Sequence, residues 1–596
     1  MEIADLPENL QASLGTLVYV PELIVGAEWT FDGGMWTVPC ELRGTATSVY
    51  VPPISHWFLR VSEDYPCGPL KFQPAREGGI QVTFPHQAPN VPVKRQRYLS
   101  GDPCLIDPAA VLGRGGGDPE PRDAYGRLAW NARRLVEWVE DAALGRLLRP
   151  GDPFEHPAVR HGDQASAAFY EDSASYANWQ DQATLSGEVV LGLHRDHPGT
   201  WYALEFRSAG SVVYAPPWGA IVSQLSERHE GIWLLVPEVP VVPPWAYPGT
   251  WGELRQVLIA QGVDLDALLR SRVEGWRDGQ PRILLLGYPV PKVVGGPNNQ
   301  VNWQACVIPP VSRQHQHLAG FRANEQGRWL RDKCKVFGNP RSINWLQSRN
   351  QQPEELGSRG YLSKGLREHR YVLVGAGALG SAVAEHLVRT GVTDVVVLDT
   401  DTLASGNLVR HTLAMPQVGM NKAIALATHL NSISPLVRAV GYADMFPPRD
   451  PEALASVNNA HVLIDTTGSE NVVDALTQQD WPEPKVIVSL SLGWRAQSLY
   501  AHAERARRFN AEAFRAAIDP QVANDLRSTV TEVAPWEGVG CWAPVFPALH
   551  TDVHLLAATG VTFLREFITS RAARESRVYE QVHGDNGFEG LRRRSS

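Results

Sequence analysis

The 596-residue chain is about four times as long as a typical domain of ~150 residues, so we expect two to four domains. Hydrophobic residues make up 43% and charged residues 20%, a composition typical of globular proteins and too apolar for a disordered chain. The 55 basic and 64 acidic side chains give a formal charge of −9, so we expect no direct nucleic-acid partner, because phosphate backbones are bound by basic surfaces.

The sequence also disfavours a membrane or secreted protein. No apolar run approaches the ~20 residues that a membrane-spanning helix needs, and the start MEIADLPENLQ is not the basic-then-apolar pattern of a signal peptide. The sequence therefore predicts a cytoplasmic protein without a membrane partner. Six cysteines occur without any CxxC pair, which argues against a structural zinc site and a disulfide framework. They are Cys40, Cys67, Cys104, Cys306, Cys334 and Cys541.

Three zones differ in composition along the chain. Residues 1–160 alternate apolar stretches with Gly/Pro turns and then contain RLAWNARRLVEWVEDAALGRLL, whose helical spacing of apolar residues ends at PGDPF. This zone is predicted to be an α+β domain, an antiparallel sheet followed by helices. Residues 161–355 are rich in Trp and Pro, contain the strand-like ILLLGYPV and no recognisable motif, and are interpreted as a middle or linker domain.

The third zone, residues 356–596, follows a polar, turn-rich boundary at 348–370. YVLVGAGALG runs from a β-branched strand into glycines, SAVAEHLVRTG is a helix that ends at a glycine, and TDVVVLDTD is a second strand. HVLIDTTG and KVIVSLSLG are continuously apolar, as strands buried in a parallel sheet are. The pattern predicts a doubly wound α/β domain.

A nucleotide-binding loop is predicted at the start of this zone. Gly375, Gly377 and Gly380 form G-x-G-x-x-G between a strand and a helix, where glycines let the backbone approach phosphates and the helix N-terminus offers free N–H groups. Asp399 ends the next strand, where a carboxylate accepts hydrogen bonds from ribose hydroxyls. These features alone are typical of NAD or FAD binding as well.

The residues that follow do not fit a dehydrogenase. The string VVVLDTDTLASGNLVRHTLAMPQVGMNKAIALATHLNSISP resembles the ThiF/MoeB and ubiquitin-activating superfamily, with its Asp-x-Asp, Ser-x-Asn-Leu-x-Arg and Gly-x-x-Lys elements. The resemblance implies that Asp399 holds the ribose of ATP and that Asn407, Arg410 and Lys422 surround the phosphates. Arg and Lys side chains suit this role because they neutralise charge on the α-phosphate and on the leaving pyrophosphate.

The same resemblance implies a magnesium ion, but the sequence departs from the family at its ligand. The family carries an acid in a Thr-Asp-Asn sequence after the fourth strand, whereas this chain has IDTTGSEN, which places Gly468 there. Magnesium needs oxygen ligands, so Asp465 or Glu470 is the expected substitute.

Cys541, in WEGVGCWAPVFPALHTDVH, is the first candidate nucleophile. In ubiquitin-activating relatives a cysteine after the adenylation core takes the acyl group from AMP, and this chain has no CxxC pair that would make Cys541 a zinc ligand instead. His550 and His554 lie one helical turn apart and are half of a possible metal site. Without a third ligand, we interpret them as a packed or solvated pair.

Cys104 is the second candidate nucleophile. The stretch DYPCGPLKFQPAREGGIQVTFPHQAPN, then GDPCLIDP and a helical segment, resembles ubiquitin-conjugating domains over about residues 15–157. By that resemblance Cys104 is the acceptor cysteine of a Cys-Leu sequence. Pro85–His86 and Asn90 lie near the expected His-Pro-Asn region without its order, which leaves the oxyanion-stabilising residue open.

A conjugating-like domain ahead of an activating-like domain resembles the bacterial fusion enzymes of CBASS anti-phage operons. The resemblance implies that ATP and a protein C-terminal carboxylate give an acyl-adenylate, that Cys541 forms a thioester, that Cys104 takes the acyl group, and that a target lysine receives it. The implied partner is a cGAS-like nucleotidyltransferase or a bacterial ubiquitin-like protein. Superfamily members pair through the adenylation domain, so a homodimer is expected.

Two other interpretations stay open at this stage. A sulfur-carrier activator of the ThiF/MoeB kind uses the same adenylation site without Cys104. A Rossmann oxidoreductase binds NAD and does not use ATP.

Overall fold

The computed structural model describes residues 5–44, 46–106, 120–180, 185–194, 199–316, 318–358, 364–529, 536–537, 543–544 and 546–594. The chain forms two compact units. The first consists of Met1–Ala215 and Arg228–Asn350, and the second of Pro216–Glu227 and Gln351–Ser596. No helix in these described ranges is long and apolar enough to cross a membrane.

The N-terminal part of the first unit is an antiparallel sheet packed against helices. Its strands are β1 (Leu23–Val25), β2 (Thr30–Asp32), β3 (Met35–Arg43), β4 (Ile54–Ser62) and β5 (Leu70–Pro74), and its helices are Glu8–Leu14 and Ala124–Leu144, with a 3₁₀ turn at Gly15–Tyr19. The strand order is β1-β3-β4-β5, and β2 pairs with β3. Alternate residues of β4, among them Trp57 and Leu59, pack against Leu128 and Leu135 of the long helix. The predicted α+β arrangement of this zone is therefore present.

The long helix Ala124–Leu144 ends earlier than the sequence pattern suggested. Its N-terminus is capped by Asp123, whose carboxylate accepts the N–H of Gly126 at 2.7 Å. Its C-terminus lies at Gly145, which has φ 67°, a left-handed conformation that terminates helices. The PGDPF segment at 150–154, predicted as the stop, follows this turn.

The rest of the first unit is an eight-stranded sheet with helices. The strands are β6 (His161–Phe169), β7 (Ser186–His194), β8 (Thr200–Ser208), β9 (Ser211–Tyr214), β10 (Arg228–Leu235), β11 (Arg282–Pro291), β12 (Asn298–Ile308) and β13 (Asn344–Asn350). The helices are Ser173–Gln180, Trp251–Ala260, Leu265–Val273 and Glu325–Lys335, with a 3₁₀ turn at Glu274–Trp276. The order is β6-β13-β12-β11-β10-β7-β8-β9, and β6 also pairs with β8, which closes the sheet on itself.

A buried carboxyl group lies in the aromatic core of this sheet. Glu171 is fully buried. Its Oε1 accepts the indole N–H groups of Trp179 at 2.8 Å and Trp303 at 2.7 Å, and its Oε2 accepts the hydroxyl of Ser175. Burial raises the pKa of Glu171 to about 8.

We expect that the wild-type chain loses stability as the pH rises and that Glu171→Gln removes this loss. Because the folded-state pKa is about 8 and the ordinary value 4.5, the folded chain keeps a proton that the unfolded chain releases. The associated stability is complete below the ordinary pKa and is lost as the pH rises to about 8. Relative to wild type, the variant should gain on the order of 2–4 kcal/mol in unfolding free energy between pH 5 and pH 9, measured by urea unfolding. Glu230→Gln, at an exposed position of β10, is the control, and an equal pH dependence in all three proteins would contradict the assignment.

The second unit contains an eight-stranded sheet covered by helices. Its strands are β14 (Tyr371–Val374), β15 (Asp394–Leu398), β16 (Arg438–Tyr442), β17 (Val462–Asp465), β18 (Lys485–Leu492), β19 (Ser498–Ala506), β22 (Arg574–Gly584) and β23 (Gly587–Arg593), and the short strands β20 (Trp536–Glu537) and β21 (Ala543–Pro544) pair separately. The helices are Ala220–Ser223, Pro353–Leu356, Lys364–Arg367, Ala378–Arg389, Lys422–Asn431, Pro451–Asn459, Glu470–Gln478, Ala511–Thr529 and His550–Thr569, with 3₁₀ turns at Ser405–Asn407, Met415–Gln417 and Trp494–Ala496.

This sheet has the order β16-β15-β14-β17-β18-β19-β22-β23. The first five strands run parallel, and β19, β22 and β23 extend the sheet in antiparallel pairs. The doubly wound α/β fold predicted for this zone is thus confirmed. The glycine loop follows β14 at the centre of the parallel part, where the strand order reverses and such sheets bind their ligands.

One segment of the sequence's middle zone packs with the second unit. Within Pro216–Glu227, the N–H of Gly219 donates to the carbonyl of Pro435 at 2.7 Å, and the N–H of Ala220 donates to Val437 at 2.8 Å. The guanidinium of Arg438 donates to the carbonyl of Trp218. The two units are therefore each built from separate stretches of sequence. The predicted domains 1–160, 161–355 and 356–596 are instead three continuous stretches.

Candidate functional site

Glycine is present at the three positions of the loop for different structural reasons. Gly375 has φ 93°, a left-handed conformation that favours glycine. A Cβ at Gly380 would lie 2.0 Å from the carbonyl oxygen of Gly375, so the helix can approach the loop only without a side chain. A Cβ at Gly377 would have no atom within 4 Å, which leaves open space over the N-terminus of the helix Ala378–Arg389. That space and the free N–H groups suit a phosphate chain.

This difference predicts that one alanine substitution affects stability and the other affects ATP binding. Gly380→Ala should lower the unfolding free energy by about 1–3 kcal/mol, because the added methyl group overlaps the loop backbone. Gly377→Ala should leave stability within about 0.5 kcal/mol while weakening ATP binding, because its methyl group occupies the open space. Thermal unfolding and ATP binding by calorimetry measure both effects. Unchanged ATP binding by Gly377→Ala would contradict the location of the phosphates.

Asp399 lies beside the glycine loop. Its Oδ2 accepts the N–H of Ala376 at 2.6 Å, and its Oδ1 accepts the N–H of Asp401 at 2.7 Å. The side-chain amide of Asn421 donates to the carbonyl of Asp399 at 2.8 Å. The carboxylate is thus oriented at the end of β15, and each oxygen keeps a lone pair that can accept a ribose hydroxyl.

Lys422 forms an ion pair with Asp401, two residues after Asp399. Its ammonium lies 2.9 Å from Oδ2 of Asp401, and the lysine side chain is only 12% exposed whereas Asp401 is 67% exposed. Asn421 caps the helix Lys422–Asn431 by accepting the N–H of Ile424 at 3.1 Å. The lysine is therefore the first residue of a capped helix, with its charge oriented by an exposed carboxylate that sequence reasoning did not single out.

Asn407 and Arg410 lie on the turn between these elements. Oδ1 of Asn407 accepts the N–H of Ala404 at 3.0 Å and closes the turn. The Arg410 guanidinium donates to the carbonyl of Phe546 and lies over the ring of Phe546, 5.9 Å from its centroid. Phe546 is five residues beyond Cys541 in the sequence.

His411 is a residue of the site that sequence reasoning missed. It is buried, its Nε2 lies 2.7 Å from the carbonyl oxygen of Ala376, and its Nδ1 accepts the N–H of Leu413 at 3.1 Å. Burial lowers the pKa of His411, which keeps the ring neutral and fits an Nε2–H donor. The residue fastens the arginine-bearing turn to the glycine loop, and its only sequence signal is its place directly after Arg410.

The two residues predicted as magnesium ligands differ in accessibility. Asp465 is fully buried, and its Oδ1 accepts both the N–H of Thr467 at 2.9 Å and the hydroxyl of Thr467 at 2.6 Å. Glu470 pairs with Arg515 at 2.7 Å, and Gly468 has φ 62°. A hydrated magnesium ion needs accessible oxygen atoms, which the buried Asp465 does not offer. Glu470 is 65% exposed and pairs with Arg515 through Oε2. Among the described residues, no group of three His, Cys, Asp or Glu side chains is placed to hold a metal ion.

Cys541 lies outside the described residues. On either side of it, the short strands Trp536–Glu537 and Ala543–Pro544 pair with each other. Downstream, the rings of His550 and His554 are 4.2 Å apart, and His386 from the glycine-loop helix lies 5.4 Å from His554. Burial lowers the pKa values of His386 and His554, which favours the neutral form of these two rings.

Cys104 is exposed in the first unit, as an acceptor thiol requires. Its N–H donates to the carbonyl of His86 at 2.7 Å. From the long helix, Nε of Arg134 donates to the carbonyl of Leu105 at 3.1 Å. The backbone on both sides of the thiol is therefore fixed while the thiol remains accessible.

Asn90 has a different role from the oxyanion donor of the conjugating pattern. It is buried, and its side-chain amide donates to the carbonyls of Ile80 at 2.8 Å and Val82 at 3.0 Å. Both amide hydrogens are used, so Asn90 stabilises the turn before Cys104 and has no hydrogen left for an oxyanion.

Two family models match the chain. The Cap2 central linker domain model matches residues 145–351, and the ThiF family model matches residues 348–489. An ATP-dependent ubiquitin transferase-like protein Cap2 from Enterobacter hormaechei subsp. hoffmannii is 31% identical over 595 residues, which cover 97% of this chain and 96% of that protein. The chain belongs to the Cap2 family. The family resemblance predicted from the motifs is thereby confirmed.

Other relatives match parts of the chain. The Cap2 protein of Vibrio cholerae is 29% identical over 147 residues, 24% of each chain, and the Bacillus subtilis sulfur carrier protein ThiS adenylyltransferase is 43% identical over 81 residues, 13% of this chain and 24% of that protein. A crystal structure of E. coli MccB with ATP aligns at 12% identity and a TM-score of 0.28, covering 39% of this chain and 65% of MccB. Family membership therefore rests on the sequence matches.

Proposed function

We propose that the chain uses ATP to activate the C-terminal carboxylate of a partner protein and passes the acyl group through Cys541 and Cys104 to a lysine of a target. The observation that carries this proposal is the arrangement of the glycine loop, Asp399 and the Lys422–Asp401 pair within the region that matches ThiF. The exposed Cys104 in the same chain supports the second half.

The proposed chemistry starts from a poor electrophile. The carboxylate oxygen attacks the α-phosphorus of ATP, pyrophosphate leaves, and an acyl-adenylate forms, in which AMP is a competent leaving group. The loop N–H groups after Gly377 and the ammonium of Lys422 stabilise the phosphate charge, and Asp399 orients the ribose. By resemblance Arg410 serves the phosphates too, and its guanidinium donates to the carbonyl of Phe546.

Two thiol steps and an amine step follow. The Cys541 sulfur attacks the acyl carbon and AMP leaves; Cys104 then displaces Cys541 in an exchange of similar bonds. The lysine amine finally displaces the Cys104 thiolate and forms an isopeptide bond. The proposed partner is a cGAS-like nucleotidyltransferase or a bacterial ubiquitin-like protein in anti-phage defence, acting in the cytoplasm with a homodimeric enzyme. Magnesium accompanies ATP in this proposal, but no step is assigned to a protein ligand for it.

The sulfur-carrier interpretation is the second candidate, because the Bacillus subtilis ThiS adenylyltransferase is 43% identical over 81 residues of this chain. It requires the adenylation site and does not require Cys104. The oxidoreductase interpretation is disfavoured by the ThiF match.

Pyrophosphate exchange tests the first step. The purified chain, together with a cGAS-like nucleotidyltransferase as the candidate partner, should exchange labelled pyrophosphate into ATP, and NAD should bind no tighter than AMP. Exchange that depends on the last residues of the partner supports activation of its C-terminus. Tight NAD binding without exchange would contradict the proposal.

A further inference from the structure

The residue that holds Cys104 has an unusual backbone conformation. His86 has φ 55°, in the left-handed region that few side chains other than glycine adopt. Its carbonyl accepts the N–H of Cys104 at 2.7 Å, so the conformation of His86 sets the backbone position of the thiol residue. Such a conformation persists where surrounding contacts hold it.

Glu155 supplies those contacts through both carboxylate oxygens. Oε1 accepts the backbone N–H of His86 at 2.8 Å, and Oε2 lies 2.7 Å from Nδ1 of its ring. The two side chains are 30% and 29% exposed, which shields the ion pair partly from water. The carboxylate binds the backbone and the ring of the same residue, so it fixes both the conformation and the orientation of His86.

The charge state of His86 depends on these neighbours. Its hydrogen bond with Glu155 raises the pKa of His86, against an opposing effect of burial, and the Leu147 carbonyl and Asp152 act in the same direction as Glu155. Glu155 and Asp152 are the charged groups that face the ring. The paired, protonated form is present at low pH and is lost as the pH rises through this raised pKa.

We propose that the His86–Glu155 ion pair positions Cys104 for acyl transfer, holding the thiol-bearing backbone in its reactive orientation while His86 is protonated. This inference rests on the proposed conjugating role of Cys104. In the transfer, the attacking nitrogen bonds to the acyl carbon, the carbon–sulfur bond breaks with its electron pair on sulfur, and the nitrogen gives its proton to water. His86 takes no proton in that step and is a positioning residue.

Two variants separate this role from a merely structural one. His86→Asn removes the cation but tolerates the left-handed backbone, and Glu155→Gln keeps an acceptor for the His86 N–H but removes the charge. Glu41→Gln is the matched control, because Glu41 forms an ion pair with Arg43 within β3 of the same unit. Thermal unfolding of each full-length chain shows whether it is folded.

The experiment follows discharge of an acetyl group from Cys104 to hydroxylamine. Each chain is loaded with S-acetyl-N-acetylcysteamine, and the Cys104 peptide is followed by mass spectrometry between pH 6 and pH 9. Wild type should discharge about tenfold faster than His86→Asn at pH 6, a ratio that falls towards one as His86 loses its proton. Glu155→Gln should also discharge faster than His86→Asn at low pH, but this rate difference should disappear at a lower pH than in wild type. The double variant should discharge no more slowly than His86→Asn.

A pH-independent ratio, or equal rates in all chains, would overturn the inference. The proposed function is judged separately, by whether wild type with ATP and its partner charges Cys104 at all. Failure of that reaction would overturn the proposed function, and with it the premise of the inference. Normal charging of Cys104 together with discharge-rate ratios that do not change with pH would overturn the inference alone.

Discussion

Replacing Arg410 or Lys422 by alanine is expected to slow pyrophosphate exchange by about 10²–10³-fold. Each cation is proposed to stabilise charge that develops at the α-phosphate and the leaving pyrophosphate, and loss of one preorganised group of this kind costs about 3–4 kcal/mol. The lysine is oriented by Asp401 at 2.9 Å, and the arginine by the carbonyl of Phe546. Exchange of labelled pyrophosphate into ATP, measured in the presence of the partner, reports the effect.

The control for this prediction is Arg508→Ala. Arg508 lies in the same unit, is 62% exposed and forms a long ion pair of 3.5 Å with Asp480, so its loss should change exchange less than twofold. Wild-type exchange in both Arg410→Ala and Lys422→Ala would show that neither cation acts on the phosphates.

Replacing Cys104 by alanine is expected to abolish target modification while leaving pyrophosphate exchange unchanged. The thioester at Cys541 should then accumulate, because its acceptor is missing. Cys104→Ser should instead trap a slower oxyester that survives thiol reductants, because an oxygen ester is cleaved less readily by thiols than a thioester. Intact-mass measurement with and without reductant separates the three states.

Cys67→Ala is the matched control for this experiment, since Cys67 is also exposed in the first unit. It should support normal modification of the target. Normal modification by Cys104→Ala would exclude the conjugating role and leave the sulfur-carrier interpretation ahead.

The parallel half of the second unit could be predicted because its signals are local. β14, β17 and β18 are continuously apolar, as strands covered on both faces are, and Gly380 is required where the helix approaches Gly375. The position of Asp399 beside the glycine loop could be predicted because the residue lies at the end of the next strand.

Other parts of the site depend on contacts between residues far apart in sequence. The carbonyl of Ala376 binds His411, which is 35 residues away, and Arg410 binds Phe546, which is 136 residues away. No periodicity marks such pairs. The use of both Asn90 amide hydrogens by Ile80 and Val82 likewise follows from the folded turn and not from residue type.

The sequence of the middle zone predicts strands but not their order in the sheet, because that order is set by pairing between residues far apart in sequence. β6 pairs in parallel with β13, about 180 residues later, and with β8, which closes the sheet. The Trp-rich composition acquires its reason in the cage around Glu171, where Trp179 and Trp303 donate to one carboxylate oxygen.

The most direct test of the two-cysteine account is peptide mapping of the wild-type chain after a single turnover with ATP and the partner, without reductant. The account predicts the partner's C-terminus joined by a thiol-labile bond first to the peptide that contains Cys541 and later to the peptide that contains Cys104. An adenylate that reaches a target while neither cysteine is ever acylated would contradict it.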